Sequence, residues 1–414
     1  MSLVEVLSAS VTAVFLFIVI SYYVLLLLPH KKRYEQASFS GITIIIPAHN
    51  ESRYIDACLQ SVLNARFPGD KQIIVVDDGS EDDTAEKVKK YPVTLMRQKH
   101  SGKALSINAA LKKAKHDIFA IIDGDSEIHV DALEQMLGLL AHPEVAVVCP
   151  TVKVKNRRSF LGMWLHIEQL YNSLLRGLFT KTNTNIVAPG PLSVYKTRIV
   201  QDVGGFSHEG FSEDVDIAVR ILRAGYRIEY ASKSVTETNM PVDVKGFYRQ
   251  RTRFARGWIN IFKRHLRLNA SFWKIYTLPL MLFGYLQAVV MGLVTLYNVS
   301  SGYWQYFASQ GVYVSLEVGR FFFEWFSILG FINWTLGAIQ GEVALTLGVI
   351  VGISSTLLTY PLYMLAILRF DRTVAWYHII PLFFMFPFWS VVMLVYIINL
   401  PEAVRSAQYN IWQK

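Results

Sequence analysis

The stretch IFAIIDGDSEIH, residues 118–129, sets the interior of a protein directly against its opposite. Ile118, Ala120, Ile121 and Ile122 form an apolar run of strand length. Asp123, Asp125 and Glu127 follow, spaced by Gly124 and Ser126. An apolar run bounded by polar residues fits a strand buried on both faces. Carboxylates gathered at its end call for a counter-charge, even in a chain of net charge +9.

Working outward, the same rhythm recurs. The run 42–46 ends in PAHNE (47–51), and the run 73–76 ends in DDGSEDD (77–83); a further run covers 93–96. Between them, 51–63, 84–90 and 104–115 read as helices, the first with Ile55, Leu59, Val62 and Leu63 on one face. Alternating short strands and helices predict an α/β domain with a mostly parallel, Rossmann-like sheet. In such sheets ligands bind beyond the carboxyl ends of the strands, where these polar clusters fall. One acidic turn alone reads as a solvated loop or a helix cap. Three at corresponding strand ends imply a shared site.

Carboxylates are hard oxygen ligands suited to Mg²⁺ or Mn²⁺. Such an ion bridges a diphosphate and offsets charge on a departing group. Asp123 and Asp125 are the candidate metal ligands, and Lys103 in HSGKALSIN adds a positive charge. Ser101-Gly102-Lys103 is not a Walker motif, because the first glycine and the Ser/Thr after Lys are missing. The expected ligand is a nucleoside diphosphate bearing a leaving group.

Two later stretches carry chemistry. GFSEDVDIAVRILRAGY (210–226) opens with Ser212-Glu213-Asp214 ahead of a helical pattern. These acids suit a helix N-terminus, or a general base beside an incoming hydroxyl. Upstream, Pro189-Gly190-Pro191 forms a rigid turn that a substrate can approach closely. The stretch 244–268 holds eight Lys/Arg and no acid, with Phe254, Trp258, Ile261 and Phe262 on one face. It reads as a basic amphipathic helix lying on anionic lipid, whose Arg side chains can also meet phosphate oxygens. Nucleic acid is a poor partner for a basic run that abuts a bilayer segment.

Hydrophobic residues make up 52% of the chain, and the charge-free tracts 11–28, 275–316, 325–341, 343–368 and 373–401 hold many of them. Each approaches or exceeds the roughly 20 residues that cross a bilayer. Nothing basic precedes the first tract and no small-residue cleavage site follows it, so it reads as a crossing rather than a signal peptide. His30-Lys31-Lys32-Arg33 follows instead, which places the N-terminus outside and the next domain in the cytoplasm. Further crossings are expected near 274–298, 343–367 and 376–399. The segment 320–340, with Arg320 and Glu324 at its start, is taken as another crossing in preference to a re-entrant helix. Cys58 and Cys149, the only cysteines, read as small core residues.

The ordered set PAHNE, DDGSED, GKALSIN, DGDSE, SEDVD and QRTRF, spread over residues 40–268, resembles the processive, membrane-integrated family 2 glycosyltransferases. That group includes cellulose, chitin-type, hyaluronan and poly-N-acetylglucosamine synthases. The resemblance implies a GT-A type fold and an inverting transfer from a UDP-sugar, with UDP-N-acetylglucosamine favoured. It implies that Pro47, Glu51 and Asp78 hold the nucleoside and that Lys103 lies close to the nucleotide. Asp123 and Asp125 would bind the diphosphate through Mg²⁺ or Mn²⁺. Asp214 would be the base, with Glu213 beside it. Gln250, Arg253 and Phe254 fall on the QxxRW motif, where Phe stands in place of Trp and alters acceptor stacking; Trp258, one turn later, is the candidate compensation.

The implied organisation is a membrane helix and basic flank (1–33), a cytosolic catalytic domain (34–243), an interfacial helix region (244–272) and C-terminal membrane helices (273–414). The implied partners are the UDP-sugar, a polysaccharide acceptor and membrane lipid, with room for an accessory subunit. Transfer of one sugar to a polyprenyl phosphate and a binding module without activity are the competing readings.

Overall fold

The protein's structure, a computed structural model, describes residues 3–29, 39–266, 276–373 and 380–403. The His30-Lys31-Lys32-Arg33 cluster on which the orientation rests lies outside the described residues. A long helix, α1 (Leu3–Leu27), comes first. The four apolar runs then become β1 (Gly41–Ala48), β2 (Asp70–Asp78), β3 (Thr94–Gln98) and β4 (Ile118–Ile121). Between them lie α2 (Ile55–Asn64), α3 (Thr84–Val88) and α4 (Lys103–Leu111). β1 runs parallel to both β2 and β4, and β2 parallel to β3. The chain therefore winds outward from β1 in both directions, and a crevice opens between the ends of β1 and β4.

Beyond β4 the sheet becomes mixed. β5 (Ser126–Ile128), β6 (Val145–Val154), β7 (Ser193–Lys196) and β8 (Arg227–Thr238) complete an order of β3-β2-β1-β4-β7-β6-β8-β5. β7 runs antiparallel to β4 and β6, β8 is parallel to β6, and β5 is antiparallel to β8. Strands of three or four residues such as β5 and β7 are too short to show a period in sequence. The remaining helices of this part are α5 (Glu134–Leu140), α6 (Phe160–Lys181), α7 (Thr197–Asp202), α8 (Glu213–Arg223) and α9 (Val244–His265).

Both faces of the sheet are covered, so its central strands are apolar at every position. Ile44 and Ile46 pack against α2 and α5 on one face, while Ile45 joins α4 and α8 on the other. Phe119 on β4 is fully buried and stacks on its cross-strand partner Tyr195 at 5.0 Å. Such a pair adds about 0.5–1.5 kcal/mol beyond the area it buries. Cys58 and Cys149 are both buried and free.

The remaining helices are α10 (Thr277–Tyr306), α11 (Leu316–Trp325), α12 (Ile328–Gln340), α13 (Leu347–Phe370), α14 (Ile380–Phe383) and α15 (Met385–Asn399), and a third core joins α10, α13, α14 and α15 to the sheet domain and α1. α6 is its centre, packing on α1 and α13 through contacts such as Tyr22–Phe179 and Tyr171–Tyr363. Ser159 caps α6 by accepting from Gly162 N–H. Among the described residues, three helices are long and apolar enough to cross a membrane: Glu5–Leu27, Thr277–Gln310 and Leu347–Phe370.

The ends of these helices fix their sense relative to the sheet. Lys181 Nζ donates to Leu25 and Leu28 carbonyls at the end of α1. Thr277 Oγ1, at the start of α10, donates to Thr184 O at 2.6 Å. Asp371, just past α13, accepts from Arg157 and His166. So α10 leaves the sheet and α13 returns to it. The α11–α12 pair between them must begin and end at the far ends of α10 and α13. It bends by 87° at its break. The expected crossing over 320–340 is therefore a bent pair of helices, either a broken span or a re-entrant loop by its geometry. The expected crossing over 376–399 is described from residue 380 onward, as α14 and the 15-residue α15. α15 packs along α9 and α10 and ends beside the sheet domain, where Arg256 Nε donates to Asn399 Oδ1.

Candidate active site

Each strand end places its polar residues by a local rule. After β1, Asn50 adopts a left-handed conformation (φ 56°) that Asn tolerates, turning the chain so that Glu51 faces the crevice. Asn50 Oδ1 accepts from Glu81 N–H, and its own N–H donates to Ser80 Oγ, tying the ends of β1 and β2 together. After β4 the chain turns through Asp123 and Gly124 into β5, leaving Asp123 and Asp125 on the crevice. Ser126 Oγ donates to Asp125 Oδ1 at 3.1 Å. Glu213 and Asp214 open α8, where a helix N-terminus favours negative charge.

These elements converge. Lys103 Nζ lies 2.5 Å from Asp123 Oδ1 and 3.3 Å from Glu213 Oε1. The first contact is an ion pair rather than a directed hydrogen bond, for Asp123 Oδ1 has no hydrogen-bond partner. Burial alone would lower the Lys103 pKa, but Asp123 and Glu213 outweigh it and hold the ammonium charged. Gly190 backs directly onto this pair, since a Cβ there would collide with Lys103 Nζ and Asp123 Oδ2. The Pro-Gly-Pro turn therefore matters for its missing side chain. Asp214 opens onto the crevice on one side and is enclosed by protein on the others. Burial, then the neighbouring Glu213 charge, pushes its carboxyl up to about 6.

Glu51, Lys103, Asp123, Asp125, Gly190, Glu213 and Asp214 line one end of a cavity of about 2010 Å³. Gln250, Arg253, Phe254 and Trp258 line the same cavity from α9. It continues between the helices as far as Glu5 and Ser8 on α1, Asn298 on α10 and Thr346 ahead of α13. Its walls there include Trp325, Trp334, Tyr363 and Trp389. The break between α11 and α12 also lines it.

Asp78 and Pro47 do not line the cavity. Asp78 is 2% exposed and its carboxylate is taken up internally. It accepts from Gln98 Nε2 (2.8 Å), Ser101 N–H (2.9 Å) and Gly102 N–H (2.8 Å). Burial would raise its pKa, but these donors outweigh it and hold the carboxyl below its usual range. Gly102 makes its bond from a backbone with φ 97°, open to glycine alone at little cost. Asp78 thus fixes the loop that presents Lys103. Pro47 is buried in β1 opposite Val76.

Three features escaped the sequence. α6 supplies Glu168, which takes Arg251 in a bidentate pair at 2.8 and 2.5 Å. Arg251 also lies over the Phe247 ring at 4.8 Å. Asp216, one face round α8 from Asp214, is buried and receives His265 Nε2 (2.8 Å), Arg264 Nη1 (2.9 Å) and Arg220 Nε (2.8 Å). Asp371 gathers His166, Arg157 and Lys153 at the end of α13. The Ser159 cap followed by apolar residues at helical spacing (Leu161, Trp164, Leu165, Leu170, Leu174, Leu178) was the available signal for α6.

Two carboxylates two residues apart fit a hard divalent ion completed by phosphate oxygens. Among the described residues no group of three or more His, Cys, Asp or Glu forms a protein-only cage.

Residues 43–204 match the family described as Glycosyl transferase family 2. Residues 43–204 therefore form a domain of the family 2 glycosyltransferase type, on a GT-A-like sheet. It is similar to the poly-beta-1,6-N-acetyl-D-glucosamine synthase of Staphylococcus aureus (strain COL), 30% identical over 235 residues, 54% of this chain and 56% of that protein. The Staphylococcus epidermidis protein of the same name is 26% identical over 238 residues, 56% of this chain and 57% of that protein. The chain spans about half the length of the curated relatives it matches. Among solved structures, the mannosyltransferase PcManGT from Pyrobaculum calidifontis, in complex with GDP-Man and Mn²⁺, superposes with a TM-score of 0.61. It is 21% identical, and the match covers 89% of this chain and 100% of that one.

Proposed function

We propose that the protein transfers a sugar from a UDP-sugar, UDP-N-acetylglucosamine in the first instance, onto a growing β-linked polysaccharide, and that the chain passes between its membrane helices. The observation that carries this reading is the single cavity running from the acidic end at Asp123 and Asp214 to the far ends of α1, α10 and α13. A polar polymer crosses hydrocarbon only along such a path. The staphylococcal relatives support the choice of sugar.

The acceptor hydroxyl enters along the α9 side, where Phe254 and Trp258 offer faces for its rings and Arg253 and Gln250 offer donors. Asp214 takes the hydroxyl proton, and a carboxyl poised near 6 is ionised at neutral pH yet basic enough for the task. The oxygen attacks the anomeric carbon from the face opposite the diphosphate, so configuration inverts. Asp123 and Asp125 would hold Mg²⁺ or Mn²⁺, which supplies charge stabilisation to the departing diphosphate. Lys103 and Arg253 add fixed positive charge on that side. Helices α1, α10 and α13 cross the membrane with the sheet domain on the cytoplasmic side.

Purified protein in detergent, incubated with a panel of UDP-sugars and Mg²⁺ or Mn²⁺, tests the reaction. UDP release with a ladder of product masses is the expected result. One sugar on an added polyprenyl phosphate, with no ladder, replaces the polymer reading with the lipid-carrier one. In proteoliposomes, polymer confined to the UDP-sugar side defeats passage through the helices.

A further inference from the structure

Lys103 pairs with Asp123, one of the two candidate metal ligands. Its ammonium sits between Asp123 and Glu213, and its side chain is 9% exposed. It opens α4 directly after Gly102, whose N–H is pinned to Asp78. On the other side, the absent side chain of Gly190 makes the room that the amine fills, since a Cβ there would collide with Lys103 Nζ. The contact is therefore built into the fold from both flanks.

We propose that Lys103 is a resident cation that holds Asp123 closed to divalent metal until a donor diphosphate draws it away. The inference rests on the reading of Asp123 and Asp125 as metal ligands. An ammonium 2.5 Å from Asp123 Oδ1 neutralises that oxygen and blocks one approach to it. A metal ion must displace the amine or share the oxygen with a second positive charge, and like charges at such range repel strongly. A diphosphate changes the balance, because it gives the ammonium new anionic oxygens to pair with. Asp123 is then released to the ion. Metal and nucleotide binding become coupled, and the coupling is reciprocal. The arrangement keeps the acidic end of the cavity neutralised between turnovers and makes metal occupancy conditional on the substrate.

The test is a Mn²⁺ titration of the full-length protein in detergent, read by electron paramagnetic resonance of the free ion, with and without UDP. No turnover is needed. Wild type is expected to bind Mn²⁺ weakly alone and at least about tenfold more tightly with UDP. Lys103→Met, without UDP, is expected to bind Mn²⁺ at least about tenfold more tightly than wild type. Lys103→Arg keeps the charge and is expected to stay near the wild-type value. Lys103→Gln, an uncharged amide of similar reach, serves where the Met variant fails to fold. Charge-removed variants that bind Mn²⁺ alone no better than wild type overturn the inference, while UDP-dependent binding by wild type leaves the metal reading standing. Mn²⁺ bound by no variant, with or without UDP, removes the metal reading and the inference together.

Discussion

The acids that face the cavity and the acids that stitch the seams behind it are opposites, though some are neighbours in sequence. Asp214 and Asp216 lie two residues apart on α8. Asp214 opens onto the cavity, crowded by Glu213, and its carboxyl is pushed up to about 6. Asp216 is turned away from it. Burial would raise its pKa too, but His265, Arg220 and Arg264 outweigh that and hold it ionised below its usual range. Asp371 behaves as Asp216 does, held far below the usual range by His166, Thr373, Lys153 and Arg157 against the effect of burial. Seam acids are saturated because an uncompensated buried charge is costly. At the cavity Asp123 and Glu213 share the Lys103 ammonium, while burial and Glu213 hold Asp214 at a pKa from which it can still accept a proton.

The contrast can be broken most directly at Asp214. Asp214→Asn should lower transfer about 10³-fold, within the range for loss of a general base, while thermal stability and UDP binding stay near wild type. Near-normal polymerisation by this variant removes Asp214 from the mechanism. Asp371→Ala should act in the reverse sense. It leaves two cations at the α6–α13 seam without their carboxylate, at a cost of about 3–5 kcal/mol in stability. Denaturant melts read the loss, and the surviving folded fraction should retain its specific activity. Gly190→Ala should cost on the order of 100-fold in turnover by displacing Lys103 and Asp123, with little change in melting temperature. A substitution that melts early and turns over normally when folded would make Gly190 a packing residue instead.

The pH profile sharpens the comparison at lower amplitude. A base must be deprotonated to work, and the Asp214 pKa is raised above the ordinary carboxylate value to about 6. So kcat/KM should be level above roughly pH 7 and fall about tenfold per unit below about 6, as one protonation requires. A profile flat down to pH 5 contradicts this assignment. The smallest effect is expected from Phe254→Trp. Phe254 lies within 5.7 Å of both the Arg251 and Arg253 guanidinium groups and lines the cavity. Restoring an indole should shift the mean product length by roughly twofold while leaving the UDP-sugar KM unchanged, since stacking on one sugar ring is worth about 1 kcal/mol.

The residues that carried the fold in sequence were those whose environment is set locally. A central parallel strand is buried on both faces, so 42–46, 73–76 and 118–122 show as unbroken apolar runs ending in acids. The antiparallel half was hidden, because β5 and β7 have too few residues to show alternation and pair with partners far along the chain. At the site, Glu51, Lys103, Asp123, Asp125, Gly190, Glu213, Asp214 and the α9 group were all brought to one cavity. Asp78 shows what sequence leaves open, because a strand-end acid reads the same whether or not the next loop also bonds to it. Hydropathy counted apolar tracts in the membrane region but could not assign their direction. The 87° bend between α11 and α12 shows in the structure alone, since hydropathy does not register a change of direction.

The sequence by itself determined the parallel half of the sheet, the acidic strand ends, the basic helix α9 and the presence of membrane helices, because periodicity and hydropathy act over a few neighbouring residues. Tertiary structure alone decided which acids share the cavity, which are locked into seams by Arg251, His265 and His166, and where the apolar segments bend. Those outcomes depend on partners tens to hundreds of residues away, and on the cost of burying a charge without one.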